Sequence, residues 1–266
     1  MPAAKIEADR LTIASIGIVA YILANIIHEG LGHGGACLLT GGRPLLITAV
    51  NMDCSADNRF VIAGGSLMNA VAAALFFLLG RSTPRTSPHL KYFAWLSMTV
   101  NLIGPAGYLA FSGIGGFGDW AQFIQGFSPQ WAWRVSLAIA GIGAYILFVR
   151  WSLLALRPLI GSDSEQRRIH AVRLTMVPYF AGGIVECLAG AFNPQGWFLV
   201  AMSAAASTFG GSSALLWSPN WLRGSSIPTG PDASAVPIQR SWPWIAAAAV
   251  IAVSFILVLG PGIHLS

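Results

Sequence analysis

Charge is what this sequence has least of. Lys, Arg, Asp and Glu make up 9% of the 266 residues, against 55% hydrophobic residues, and the mean hydropathy is +0.66. A soluble domain carries about 25% charge, so so few charged side chains exclude a soluble fold of this length. Disorder is excluded for the same reason, because disordered chains are polar and charged. The class that remains is a multi-pass membrane protein. Lys/Arg-rich runs interleaved with aromatics are also missing. A net charge of +5 therefore does not point to nucleic acid, since basic loops are expected on the cytoplasmic side of any membrane protein. Cysteine is scarce too. Cys37, Cys54 and Cys187 form no CxxC pair, and the expectation is small buried residues rather than a disulfide or a metal role.

The gaps between charges map the chain. Between Arg10 and Arg43 the one formal charge is Glu29, between Lys91 and Arg134 it is Asp119, and between Arg173 and Arg223 it is Glu186. Arg59 to Arg81, Arg134 to Arg150 and the chain after Arg240 hold none between them. A transmembrane helix needs about 20 apolar residues. The expected spans are 11–38, 60–80, 91–113, 132–156, 172–191, 196–217 and 242–262. The fold expected is thus an all-α polytopic membrane protein with about seven transmembrane helices. Between the first two, segment 41–60 reads as turn residues around the β-prone LLITAV and RFVI, which predicts a short hairpin or re-entrant element. Segment 157–171 reads as a charged loop, and the Pro/Ser/Gly-rich stretch 218–241 as a flexible one. Lys/Arg counting places most basic residues on the amino-terminal side, and only Arg43, Arg59 and Arg134 opposite. That predicts an inside amino terminus and an outside carboxyl terminus.

The first span ends in Asn25-Ile-Ile-His28-Glu29-Gly30-Leu31-Gly32-His33-Gly34-Gly35. Such groups at the end of an apolar helix are costly unless paired or metal-bound. Imidazole and carboxylate are zinc ligands and general bases. The zincin pattern HExxH sets its histidines four apart on one helix face, whereas these are five apart, about 140° round an α-helix. Two arrangements meet the difficulty. A π-bulge, made cheap by the four nearby glycines, absorbs the extra residue. Alternatively Glu29 and His33, four apart, both ligate and leave His28 free.

A tetrahedral catalytic zinc takes three protein ligands. Asp119 follows the third span, which runs parallel to the first, so it emerges on the same face as the cluster. A third ligand and a solvated loop acid are equally compatible with it. Glu186 is the other intramembrane acid, and a structural partner is the favoured reading. Asn69 and Asn101 lie inside spans two and three, where bridging between helices is the default role.

Three blocks in this order resemble the site-2 protease family of intramembrane zinc metalloproteases, in its small bacterial branch. HEGLGHGGACLLTGGRP is similar to the family's HExxH helix, AGGSLMNAVAAALFFLLG to its second core helix, and NLIGPAGYLAFSGIGGFGDW to its third, with the aspartate at its end. The resemblance covers roughly residues 11–125. It implies a catalytic core over 1–125, with about four additional helices and the 218–241 loop in 126–266. It implies that His28, His33 and Asp119 bind Zn2+. It further implies that Glu29 is the general base that activates water against a peptide carbonyl and then protonates the leaving amine. Asn69 would position the substrate strand, and the 41–60 hairpin would offer it an edge. The implied partners are a membrane-protein substrate helix and the lipid bilayer of a bacterial cytoplasmic membrane. The family's site lies towards the cytoplasm, whereas the Lys/Arg count puts this cluster outside.

Two other functions are weighed. One is a catalytically inactive membrane scaffold or sensor, suggested by the five-residue spacing and by Trp120 where the family commonly has Gly. The other is an ion- or proton-coupled transporter using Glu29, Asp119 and Glu186. The lack of paired, interrupted half-helices in two matching halves counts against it. The sequence names no oligomeric state.

Overall fold

A computed structural model describes residues 8–56, 58–161, 164–194, 200–222 and 237–265. The described residues form helices joined by short turns, with one small sheet. Helix α1 (Arg10–Ile26) opens on Asp9, whose carboxylate accepts from the Thr12 N–H at 2.9 Å. It runs on through a π-helical segment, Ile27–Gly34, into α2 (Gly35–Leu39). Strands β1 (Pro44–Ile47) and β2 (Met52–Cys54) form an antiparallel hairpin. Then come α3 (Arg59–Ser82), α4 (Pro88–Gly115), the short α5 (Asp119–Phe123), α6 (Gln130–Ile160) and α7 (Ser164–Ala191). A π-helical stretch, Val200–Gly210, leads to α8 (Ala214–Trp217) and a 3-10 turn, Ser218–Leu222. Helix α9 (Trp242–Ser254) ends in a π-helical turn, Phe255–Leu259, and strand β3 (Ile263–His264) closes the described chain.

Five helices among the described residues are long and apolar enough to cross a membrane: Arg10–Leu39, Arg59–Ser82, Gln130–Ile160, Arg167–Ala191 and Trp242–Leu259. They correspond to five of the expected spans. The expected span 91–113 is helix α4, 28 residues long, with Asn101 and Pro105 inside it. It is the hub of the bundle, packed chiefly against α6, α3 and α1, with Tyr92, Leu96, Met98 and Ile103 fully buried. By contrast α6, α9 and the π-helical turn that ends α9 leave Ile139, Leu147, Val250 and Leu257 exposed. Apolar residues pointing outwards from the bundle are what a lipid-facing surface requires.

Some polar atoms inside the bundle find partners on neighbouring helices. Pro178 in α7 cannot supply the N–H that the Leu174 carbonyl would receive, and the buried Tyr92 hydroxyl donates to that carbonyl at 2.8 Å. Small residues let helices touch. A Cβ on Gly17 would lie 2.5 Å from Pro178 Cβ, so α1 and α7 meet backbone to backbone. Segment 157–171 is not the loop expected from its charge. Helix α6 runs to Ile160 and α7 starts at Ser164, because charged residues continue a helix readily once it leaves the apolar layer. Of the loop expected at 218–241, Ser218–Leu222 is a 3-10 turn, and residues 223–236 lie outside the described residues.

Two ends of the bundle are tied by the last described segment. At one, the Asp9 N–H donates to the Ile238 carbonyl at 2.7 Å and Arg240 pairs with the Asp9 carboxylate at 2.8 Å. At the other, the Ala49 N–H donates to the Leu259 carbonyl at 2.7 Å, and β3 pairs antiparallel with β1. The hairpin expected after the first span is therefore present, within a three-stranded sheet of order β2-β1-β3. Cys37 and Cys54 are joined by a disulfide that ties α2 to β2, which corrects the expectation that the cysteines are merely small buried residues. Their 17-residue separation carried no sign of it. The pairing arises when the hairpin folds back over α2. Cys187 is free.

Candidate metal centre

The five-residue spacing of the two histidines is resolved by the backbone. Residues 27–34 are π-helical, and a π-helix bonds residue i to i+5, so residues five apart stack on one face. His28 and His33 therefore point the same way, with their Nε2 atoms 3.2 Å apart. The alternative in which Glu29 and His33 ligate while His28 stays free is not the arrangement adopted.

Asp119 reaches the same point from α5. Helix α4 stops at Gly116, with φ 74°, and the chain turns again at Gly118, with φ 85°, a left-handed conformation glycine adopts without penalty. Arg134 holds the helix end by donating to the Gly113 carbonyl at 3.0 Å. Trp120 Nε1 donates to Ser66 Oγ on α3 at 3.1 Å, and the Asp119 N–H donates to the Tyr108 hydroxyl at 3.3 Å. Arg59 clasps the far side of α5 through the Phe123 and Gln125 carbonyls, at 2.9 and 3.0 Å. Asp119 Oδ2 is thereby set 3.3 Å from His28 Nε2 and 3.4 Å from His33 Nε2.

Both histidines have their outer nitrogen fixed. The Asn69 carbonyl oxygen lies 2.6 Å from His28 Nδ1, and the Val61 carbonyl 2.8 Å from His33 Nδ1. Those acceptors require an N–H at Nδ1, which leaves a lone pair at each Nε2. Asn69 is itself oriented by donating to Asn101 Oδ1 at 2.7 Å and to the Ala24 carbonyl at 3.2 Å. The two asparagines do bridge helices, as expected, and the bridge ends on a candidate ligand. The resemblance assigned Asn69 to the substrate; here its whole amide is engaged with His28, Asn101 and Ala24.

The three atoms form a triangle with edges of 3.2, 3.3 and 3.4 Å. Two imidazole lone pairs and a carboxylate facing one point repel unless a cation or proton lies between them. Ligand bonds of about 2.0–2.1 Å in a tetrahedron put ligand atoms about 3.3–3.4 Å apart. The cluster fits a metal ion in donor type, number and spacing. Space for it comes from glycine. A Cβ on Gly65 would lie 2.5 Å from His28 Nε2 and 2.6 Å from His33 Nε2, and one on Gly32 would lie 2.5 Å from Gly65 Cα.

The cluster stands in the wall of a cavity of about 680 Å³. Glu29, 8% exposed, shares this wall with Asn69, Tyr108 and Asp119. Hairpin residues Asn51, Met52, Asp53 and Cys54 also line it, and Glu186, Thr208 and Ser212 come from the second half of the chain. Glu186 lies on α7, where its Oε2 accepts from Asn25 Nδ2 at 3.0 Å. It is thus in the cavity with Glu29 but outside the triangle. Sequence reasoning missed Tyr108, Trp120, Ser66 and the Val61 carbonyl. Trp120 stood beside Asp119 but read as a departure rather than an anchor, and a backbone carbonyl leaves no signal in sequence.

The chain matches no protein-family model, no curated protein and no solved structure.

Proposed function

We propose that the protein is an intramembrane zinc metallopeptidase that hydrolyses peptide bonds of membrane-protein substrates. The observation that carries this reading is the convergence of His28, His33 and Asp119 beside Glu29, in a cavity inside an apolar bundle. Edges of 3.2–3.4 Å favour a tetrahedral ion such as zinc, since octahedral ligation at about 2.1 Å brings neighbouring ligands to about 3.0 Å. The scaffold reading drew on the five-residue spacing and on Trp120; the π-helical turn meets the first, and Trp120 anchors α5 by donating to Ser66.

His28, His33 and Asp119 hold the ion, which supplies Lewis acidity and activates water when bound. Glu29 accepts the proton of the attacking water and passes it to the departing amine. Asn69 acts through His28, holding its ring in the tautomer that presents Nε2. Burial of the site keeps bulk water from competing with the one reacting molecule. Strand β2 is an outer strand of the sheet and lines the cavity, which suits an unwound substrate segment adding to it as a further strand. Residues 1–125 would then carry the catalytic machinery, and 126–266 would complete the cavity and its lipid-facing surround.

The cluster would face the outer side of the membrane. Lys/Arg counting supports that orientation, and so does the Cys37–Cys54 disulfide beside the site, because disulfides persist in oxidising compartments.

The test uses Glu29→Gln in the purified full chain. Wild type should retain about one zinc per chain and cleave a reporter transmembrane peptide. The variant should keep its zinc and lose cleavage by at least about 100-fold, the share of a general base. Wild type that takes up no metal, or a variant that cleaves normally, defeats the proposal.

A further inference from the structure

The cavity has a second acidic pole that the hydrolytic reading does not use. Glu186 is 3% exposed and lines the cavity with Asn25, Tyr21 and Ser212. Asn25 Nδ2 donates to both Glu186 Oε2 and the Ala49 carbonyl, at 3.0 and 2.9 Å. Those two bonds fix which way the Asn25 amide faces. They use both Nδ2 protons and leave Asn25 Oδ1 and Glu186 Oε1 as buried acceptors with no donor among the described residues. The Tyr21 and Ser212 hydroxyls are committed elsewhere. Ser212 Oγ donates to the Thr208 carbonyl at 2.5 Å, so at 2.7 Å it is Tyr21 that donates to Ser212. Among the described residues no Lys or Arg lines the cavity.

Two orphaned acceptors, one of them a carboxylate, are costly in a bundle interior. Their complement is a cation rich in donors, and an ammonium group carries a positive charge and three N–H bonds. We propose that Glu186 and Asn25 form a subsite for an ammonium group of the peptide that occupies the cavity. The group is a lysine side chain or a free amino terminus. Asn25 precedes Glu29 by four residues on one continuous helix, close to one turn. An ammonium held at Glu186 therefore sits about one turn from the general base and sets which bond of the peptide lies against it. The peptide identity of the guest rests on the hydrolase reading; the affinity for ammonium does not.

The experiment uses the full-length wild type in detergent and a hydrophobic carbodiimide that labels Glu186, with modification at that residue read by peptide mass spectrometry. The probe is n-propylammonium chloride, against n-propanol and matched sodium chloride as controls. Propylammonium should slow labelling saturably, by about tenfold at ten times its half-saturating concentration, while the controls leave it unchanged. Glu186→Gln should lose the saturable rise in melting temperature that propylammonium produces in wild type. Labelling slowed equally by all three solutes, or by none, overturns the subsite even if the variant fails to fold. Protection that persists in His28→Ala separates the subsite from the metal reading, and normal peptide cleavage without protection sinks the subsite alone. N-acetyl-lysine methylamide and alanine methylamide then distinguish the side-chain from the terminal ammonium. If neither protects where propylammonium does, the peptide assignment is overturned.

Discussion

Replacing Gly65 with alanine puts a methyl group where the two imidazoles meet. The added carbon would lie 2.5 Å from His28 Nε2 and 2.6 Å from His33 Nε2, short of the 3.4 Å of ordinary contact by about 0.8–0.9 Å. Neither ring can retreat freely. His28 is held by Asn69 and His33 by the Val61 carbonyl. Helix α3 cannot withdraw either without opening the close contact between Gly32 and Gly64–Gly65. Metal ligands tolerate displacements of about 0.2 Å. The expected loss in metal affinity therefore exceeds the roughly 10–100-fold that follows removal of one supporting partner. The assay is competition for zinc against a chelator of known affinity, with metal content read by mass spectrometry and folding checked by a cooperative melt of the metal-free protein. Gly35→Ala is the control, since a Cβ there meets nothing within 4 Å. Wild-type affinity in a folded Gly65→Ala protein would show that the rings do not converge beneath Gly65, and the metal centre as described would be wrong.

Asn69→Ala frees the His28 ring and should weaken zinc binding by about 10–100-fold without removing a ligand; an unchanged chelator competition curve would deny Asn69 its orienting role. Cys37 and Cys54 should resist a membrane-impermeant maleimide until reduced, and should then react in intact cells; labelling only after the membrane is opened would reverse the proposed orientation. Asp9 is held down to about 2 by its hydrogen bonds from Arg240, which favour the charged form. Its stabilisation is thus complete above the ordinary carboxylate pKa near 3.8 and fades as pH falls through about 2. Asp9→Asn keeps a good helix cap, so its melting temperature in detergent should be slightly lower than wild type at pH 7, by the equivalent of less than about 1 kcal/mol, and the gap should close towards pH 2. A gap that widens in acid would refute the pairing.

Much of the site was legible because charge is so rare. In a chain that scarcely affords ionisable groups at membrane depth, Glu29, Asp119 and Glu186 stood out against apolar neighbours, and His28 and His33 sat beside the first of them. Parallel running of the first and third spans by itself puts Asp119 on the face where the His-Glu-His segment emerges. The glycines of GGFGD and AGGS also carried meaning that pattern alone did not specify. Gly116 and Gly118 turn the chain back to deliver Asp119, and Gly65 clears the space in which the rings meet. The charged segment 157–171 misled, because charge marks the membrane boundary rather than the end of a helix.

Local chemistry in the sequence determined the membrane class, the places of the long apolar helices, the hairpin after the first of them and the candidates for metal ligation. These follow from composition and short-range pattern, which act wherever the chain goes. Only the tertiary structure decided which of two arrangements the His-Glu-His segment takes. That choice depends on α3 packing close enough, through Gly32, Gly64 and Gly65, to catch His33 at the Val61 carbonyl and His28 at Asn69. The Cys37–Cys54 link, the pairing of β3 with β1 and the arrival of Glu186 in the same cavity are likewise contacts between residues far apart in the chain. No local pattern encodes them, because each exists only once the helices that carry its two halves have packed.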